Sequence, residues 1–318
     1  MSHMLEIEGL TKRFGDITAV DGVSFNVDRG EVLGFLGPNG AGKTTAMRMV
    51  AGFLPPTAGR AVVCGFDVTR NPIDVKRRIG YLPEGAPLYE DMTPLELLSF
   101  VADMRGISGR AQREAIARAA VQINIESVLR QTIGTLSKGF KRRVGIAQAL
   151  LHDPEVLILD EPTDGLDPNQ KFEVRALINE MAPQKAIIIS THLLEEVDEV
   201  CTRAIIISKG SIVADGTPEE LAGRSSYHNA VRIRVRHDQI DACRACIEGV
   251  AEISRVEIVT DRDGSACLVA VSADRKVILG VVSTRIRDGG IVIEEIRVER
   301  GRLDEVFRNI TTGDYEVR

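Results

Sequence analysis

Eight residues, Gly37-Pro38-Asn39-Gly40-Ala41-Gly42-Lys43-Thr44, stand between the apolar run Val32–Leu36 and a helical pattern over 45–50. They fit GxxxxGK[ST], in the strand–loop–helix setting that gives this pattern its meaning. Glycines let successive backbone N–H groups turn toward one point, and a helix start adds partial positive charge there. A polyphosphate is the natural occupant. Lys43 would reach its β- and γ-phosphates, and the Thr44 hydroxyl would ligate Mg²⁺. The plain alternative is a glycine-rich turn with no ligand, and eight matched positions in the right setting argue against it.

Three later runs extend the α/β reading. They are Val156-Leu157-Ile158-Leu159, Ala186-Ile187-Ile188-Ile189 and Ala204-Ile205-Ile206-Ile207. Continuous, mostly β-branched runs separated by helical segments predict a parallel sheet buried on both faces. Residues 5–27 alternate only in patches and carry turn signals at Gly15-Asp16 and Asp21-Gly22, which predicts short antiparallel strands. A turn is expected at Pro55-Pro56-Thr57-Ala58-Gly59, then a strand over 60–66. Thr93-Pro94-Leu95-Glu96 reads as a capped helix start. Helix is expected over most of 94–130, broken at 106–109 and reopened at Ser108 or Gly109, and again over 137–151. Residues 211–216 return as a hairpin, and Thr217-Pro218-Glu219-Glu220 opens a closing helix.

Residues 223–229 are polar and aperiodic, and read as a linker. Beyond them the pattern becomes strand 231–236, helix 237–249, strand 250–259, strand 265–271, helix 273–287 and strand 291–298. That order, βαββαβ, predicts a ferredoxin-like α+β domain, with a last short helix over 303–310. The expected organisation is a first domain over 1–222 with a helical subdomain at about 88–150, the linker 223–229, and an accessory domain over 230–318. Residues 1–3 read as a tag scar, with Met4 as the native start.

Composition excludes several classes. A formal net charge of −6 argues against a broad nucleic-acid surface. No run of eighteen apolar residues is present, so no spanning helix is expected. No charged leader precedes an apolar segment, so secretion is not expected either. Five cysteines do not make a disulfide framework. Cys243 and Cys246 form a single CxxC on an expected helix face, and partly buried thiols fit better than a metal or redox site.

The run Val156-Leu157-Ile158-Leu159-Asp160-Glu161 is an apolar strand ending in two acids. Together with the phosphate loop, with Leu136-Ser137-Lys138-Gly139-Phe140 upstream and Ser190-Thr191-His192 downstream, it resembles the nucleotide-binding subunit of ABC transporters over about residues 5–222. The resemblance implies a P-loop NTPase fold with an antiparallel β subdomain and a helical subdomain. It also implies roles. Phe14 would stack on adenine. Gly37, Pro38, Asn39, Gly40, Ala41, Gly42, Lys43, Thr44 and Thr45 would hold the ATP phosphates. Glu84, in Gly80-Tyr81-Leu82-Pro83-Glu84, occupies the Q-loop position and, with Thr44 and Asp160, would hold Mg²⁺. Glu161 would polarise the attacking water, with Lys43 and the switch residue His192 as the other catalytic groups. Ser137 and Gly139 would meet the γ-phosphate bound to a second subunit, and Asp167, in Gly165-Leu166-Asp167, is the D-loop acid.

One such chain carries half of each of two sites, so the resemblance implies a head-to-tail dimer sandwiching two ATP molecules. It also implies an integral-membrane permease partner, a peripheral place on the cytoplasmic face of the membrane, and no nucleic-acid partner. The loop 85–92 is expected to line the groove that receives the permease. Three positions depart from the family pattern: Lys138 for Gly, Phe140 for Gln and Glu84 for Gln. This combination, with Leu166-Asp167-Pro168-Asn169-Gln170, is similar to subunits serving ABC-2 type exporters and gliding-motility-associated ATPases. Leu303-Asp304-Glu305-Val306-Phe307 resembles the ending of many exporter subunits. The accessory domain reads as a dimer-supporting appendage in preference to a small-ligand regulatory domain. Two further readings compete: a soluble ABC ATPase acting on nucleic acid or ribosomes, which usually has two cassettes or a long coiled coil, and a slow nucleotide-sensing module, against which the Asp160-Glu161 pair argues.

Overall fold

The computed structural model describes residues 3–85, 88–260 and 266–312. Ala86 and Pro87 of the expected groove loop, Ser265 at an expected strand start, and residues 1–2 and 313–318 lie outside the described residues. The chain divides into two compact units, Met1–Asp215 and Gly216–Arg318.

In the first unit the apolar runs form the centre of a six-stranded sheet. Its order is Ser211–Gly216, Arg203–Ser208, Val32–Leu36, Ala186–Thr191, Val156–Asp160, Ile79–Leu82. Val32–Leu36 runs parallel to both of its neighbours, and so does Val156–Asp160. Every residue of Val32–Leu36, Val156–Asp160 and Ala186–Thr191 is buried. A strand covered on both faces has no solvated side for polar residues, which is why these runs lack alternation. Leu36 pairs with Thr191 and Asp160 with Ser190. The residues that leave these strands, Gly37, Glu161 and His192, therefore emerge along one edge, where open parallel sheets place their ligands.

A second, antiparallel sheet has the order Ile17–Val27, Leu5–Phe14, Ala58–Val63, Phe66–Asp67. The helix Lys43–Val50 packs Ala46, Met47, Met49 and Val50 into the core that both sheets share. Two sequence expectations need correction here. Asp21-Gly22 is not a turn but lies inside Ile17–Val27. The register against Leu5–Phe14 shifts there, and Gly22 takes a φ of +60°. A glycine in such a bulge bends a strand without ending it. The strand expected over 60–66 is cut by Cys64-Gly65, both with positive φ, and turns back so that Val63 faces Phe66.

The helical subdomain holds Pro94–Met104, Gly109–Ile123 and Lys138–Leu150. Thr93 and Glu96 close a reciprocal capping box at the first start, and Ser108 stands at the N-cap of the second. Asn124, with a φ of +54°, ends the second helix.

The second unit contains the βαββαβ order. Its antiparallel sheet runs Ile253–Thr260, Ala266–Ser272, Val231–Val235, Ile293–Val298, the ferredoxin-like arrangement. Ile240–Ile247 and Leu279–Asp288 supply Ile240, Cys243, Ile247, Val282 and Ile286 to one core. Cys243 is buried there, and burial pushes its thiol up to about 11. The second of these helices begins later than residue 273. Arg275 takes a φ of +61°, and the Asp274 carboxylate accepts from the Lys276 amide, which makes a turn of the expected first residues.

Candidate active site

The loop after Val32–Leu36 is built from close approaches. A Cβ on Gly37 would lie 2.6 Å from the Ile207 carbonyl oxygen, and one on Gly42 would lie 2.5 Å from that of Ala19. Gly42 also has a φ of +105° and begins the helix Lys43–Val50. No side chain fits at either place, so the backbone itself faces the ligand space. Ala41 is buried and accepts from Gly210 N at 3.0 Å, which pins the loop from beneath.

A cleft of about 340 Å³ opens over this loop. Pro38, Asn39, Gly40, Gly42, Lys43, Thr44, Thr45, Glu84 and Glu161 line it, with Ala19. The structure thus brings Glu84 to the phosphate loop although about forty residues separate them in sequence. Lys43 is buried. Its Nζ donates to the Gly37 carbonyl at 2.7 Å and lies 3.6 Å from Glu161 Oε1. The Thr44 hydroxyl donates to Asp160 Oδ1 at 3.4 Å, and the Ser190 hydroxyl donates to the same oxygen. Asp160 Oδ2 is buried with no hydrogen-bond partner. A buried carboxylate oxygen left unpaired beside a threonine hydroxyl fits a hard divalent cation, which binds oxygen ligands.

Glu161 stands just past its strand with a φ of +51°, and its N–H donates to the Ser190 carbonyl at 3.0 Å. Its Oε2 lies 2.7 Å from His192 Nδ1. One carboxylate therefore faces a lysine ammonium on one side and an imidazole on the other.

The other expected site residues lie elsewhere. Phe14 ends Leu5–Phe14, half exposed, with the Lys12 ammonium 5.2 Å over its ring. Ser137, Gly139 and Asp167 do not line the cleft; Gly139 and Asp167 both meet Gln170, and Ser137 lies two residues before Gly139. Ser137 caps Lys138–Leu150 by accepting from Phe140 N at 3.3 Å. A Cβ on Gly139 would lie 2.6 Å from the end of the Gln170 side chain, which would have to move aside. Asp167 caps Pro168–Met181 by accepting from Gln170 N at 2.9 Å.

Three residues with no role in the sequence reading belong to this region. Ser190 holds Asp160, as above. Arg142 is buried, and its guanidinium donates to the carbonyl of Glu161 and, at 2.9 Å, to that of Pro162. Burial lowers its pKa while the carboxylates of Asp164, Asp160, Glu161 and Glu196 act against that. Glu196 is buried. Burial raises its pKa, against the Thr191 hydroxyl and the Arg175 charge. Ser190 stands beside His192 in the quoted run, but the contacts of Ser190 and Arg142 cross strands or helices that only the fold brings together.

Comparison with known proteins agrees with this geometry. Residues 20–164 match the family model described as ABC transporter. The daunorubicin resistance ATP-binding protein DrrA3 of Streptomyces coeruleorubidus is 33% identical over 315 residues, covering 99% of this chain and 98% of that protein. The probable multidrug ABC transporter ATP-binding protein YbhF of Escherichia coli K12 is 38% identical over 224 residues, 70% of this chain, and the chain spans only 39% of that protein's length. The solved structure of an ATP-binding subunit of an ABC transporter superposes with a TM-score of 0.63 at 30% identity, covering 69% of this chain and 91% of that one. A full-length relative at that identity, a matching family model and a phosphate loop facing an Asp–Glu pair and a histidine agree: the chain belongs to the family of ABC transporter ATP-binding subunits.

Proposed function

We propose that this chain binds and hydrolyses ATP at the cleft over residues 37–45 and thereby drives an ABC-2 type exporter. The observation that carries this reading is the convergence of Lys43, Asp160, Glu161 and His192 at one strand edge. Transfer of the γ-phosphoryl group to water needs charge neutralisation and a positioned nucleophile. Lys43 meets the phosphate charge, Glu161 orients the water, and His192 donates to the γ-phosphate. Thr44, Asp160 and Glu84 would hold Mg²⁺, which when bound neutralises phosphate charge. Phe14 stacks on the adenine.

Ser137, Gly139 and Asp167 serve the nucleotide of a second copy, so the working unit is a dimer closed over two ATP molecules. Accessory residues 230–318 support that dimer. Among the described residues no helix is long and apolar enough to cross a membrane. The transport path belongs to a separate permease, which holds the chain at the cytoplasmic face. Export as the direction follows the names of relatives called daunorubicin and linearmycin resistance ATP-binding proteins.

A cavity of about 690 Å³ in the first unit suits the permease contact. Phe53, Ile73 and Met104 line it and stay largely exposed, with Lys76, Arg77 and Arg105 beside them. The described residues 88–92 of the expected groove loop are not part of its lining. An apolar helix carrying acidic residues is the complementary partner. Coupling would run from Glu84 through its loop to this surface. The reading is tested by phosphate release with Mg-ATP together with the mass of the Glu161→Gln variant in ATP. Turnover by the wild type and an ATP-dependent dimer of the variant support it; unaltered turnover by the variant removes Glu161 from its role.

A further inference from the structure

Arg142 is only 6% exposed, a costly place for a guanidinium unless its donors are used. They are used on backbone. Nη2 donates to the Glu161 carbonyl and Nε to the Pro162 carbonyl at 2.9 Å. They are the carbonyls of the residue whose φ of +51° is unfavourable for a glutamate and of the residue after it. From the other side the Glu161 N–H is held by the Ser190 carbonyl at 3.0 Å. The left-handed backbone is thus clamped on both sides, and that conformation sets the carboxylate between Lys43 and His192.

We infer that Arg142 is a positioning residue for Glu161: it fixes the backbone that aims the carboxylate at the attacking water and acts through that carboxylate, not on the nucleotide. The inference rests on Glu161 being the water-orienting group. Arg142 also belongs to Lys138–Leu150, the helix that Ser137 caps. One guanidinium therefore ties the helix bearing Ser137 and Gly139, whose nucleotide lies in the other subunit, to the base that serves the chain's own nucleotide. A planar fork holds two carbonyls at a fixed spacing, which an ammonium does not do. Misplacing a reacting group by about 1 Å is enough to cost roughly a hundredfold in rate.

The test is a double-mutant cycle on ATP turnover with wild type, Arg142→Gln, Glu161→Gln and the double variant. Arg142→Gln is expected to lower kcat by about 10- to 100-fold, with KM for ATP changed by less than about twofold. The double variant is expected to be no slower than Glu161→Gln, because the group that Arg142 positions is already gone. A purely structural arginine would multiply the two losses. Wild-type kcat in Arg142→Gln, or the same fold loss with and without the Glu161 carboxylate, overturns the inference. Should thermal melting show that Arg142→Gln does not fold, Arg142→Lys goes through the same cycle, with a smaller loss of kcat and the same non-additivity expected. The underlying reading fails by a different result, wild-type turnover in Glu161→Gln whatever the Arg142 variants do.

Discussion

His192 Nδ1 lies 2.7 Å from Glu161 Oε2, so the histidine after one buried strand touches the acid after its neighbour. Asp160 pairs with Ser190 in register, which carries the next residue of one strand and the second-next of the other to the same edge. His192→Ala removes the proposed donor to the γ-phosphate and the imidazole that touches the Glu161 carboxylate. Turnover is expected to fall by about 10²- to 10³-fold, the cost typical of losing one transition-state donor, with ATP affinity changed far less. Steady-state phosphate release and equilibrium nucleotide titration separate the two effects.

Gly42→Ala tests the phosphate cradle without touching a charged group. A methyl there would sit 2.5 Å from the Ala19 carbonyl at a φ of +105°. The loop must shift, and the backbone N–H groups lose their common aim. ATP affinity should weaken at least about tenfold by calorimetric titration, an effect of backbone geometry at unchanged net charge.

The four-residue cap signals, the buried runs and the βαββαβ order were all legible in the sequence, because each is written in local spacing. Thr93 and Glu96, three residues apart, are an example. So were the phosphate loop and the Asp160-Glu161 strand end. Asp21-Gly22 misled because the same dipeptide serves a turn or a bulge, and only pairing with Leu5–Phe14 decides between them. Arg142 and Ser190 were illegible as site residues. Each lies beside a quoted motif, but their contacts to the Glu161 and Asp160 strand end span 19 and 30 residues, which local spacing does not encode.

His152 gives the first unit a pH dependence of known sign. Burial, with the Arg105 charge adding to it, pushes its pKa down to about 4 from 6.5, while its Nε2 stands 3.1 Å from the Ile79 carbonyl. The unfolded chain then binds the extra proton between pH 6.5 and 4, so the histidine costs nothing above 6.5 and destabilises progressively as pH falls through that window. His152→Gln should remove up to roughly 3 kcal/mol of this acid-side loss. Melting curves of both proteins from pH 7.5 down to about 4 should diverge at the low end, the variant losing less.

Arg203 forms a two-pronged contact to Asp215, at 2.7 and 2.6 Å, and reaches the Asn26 carbonyl and Glu31 as well. Arg203→Ala leaves these groups partly buried without their cation. The variant should lose about 2 kcal/mol in urea unfolding of the first-unit transition, with nucleotide affinity unchanged.

Phe53→Ser and Met104→Ser alter the exposed apolar lining of the 690 Å³ cavity and no residue of the phosphate cleft. Basal ATP turnover of the isolated protein should stay within about twofold of wild type. Retention by the proposed permease in detergent should fall at least about tenfold, as expected for truncating anchors at a partner surface.

ATP binding at this cleft is proposed to drive a membrane partner. The most direct measurement is capture of partners from detergent-solubilised source membranes by the tagged Glu161→Gln variant loaded with Mg-ATP. Recovery of one polytopic membrane protein, lost when Phe53 and Met104 are replaced, is the predicted result. Recovery of ribosomal or DNA-bound proteins with no membrane protein would contradict it and favour a soluble ATPase.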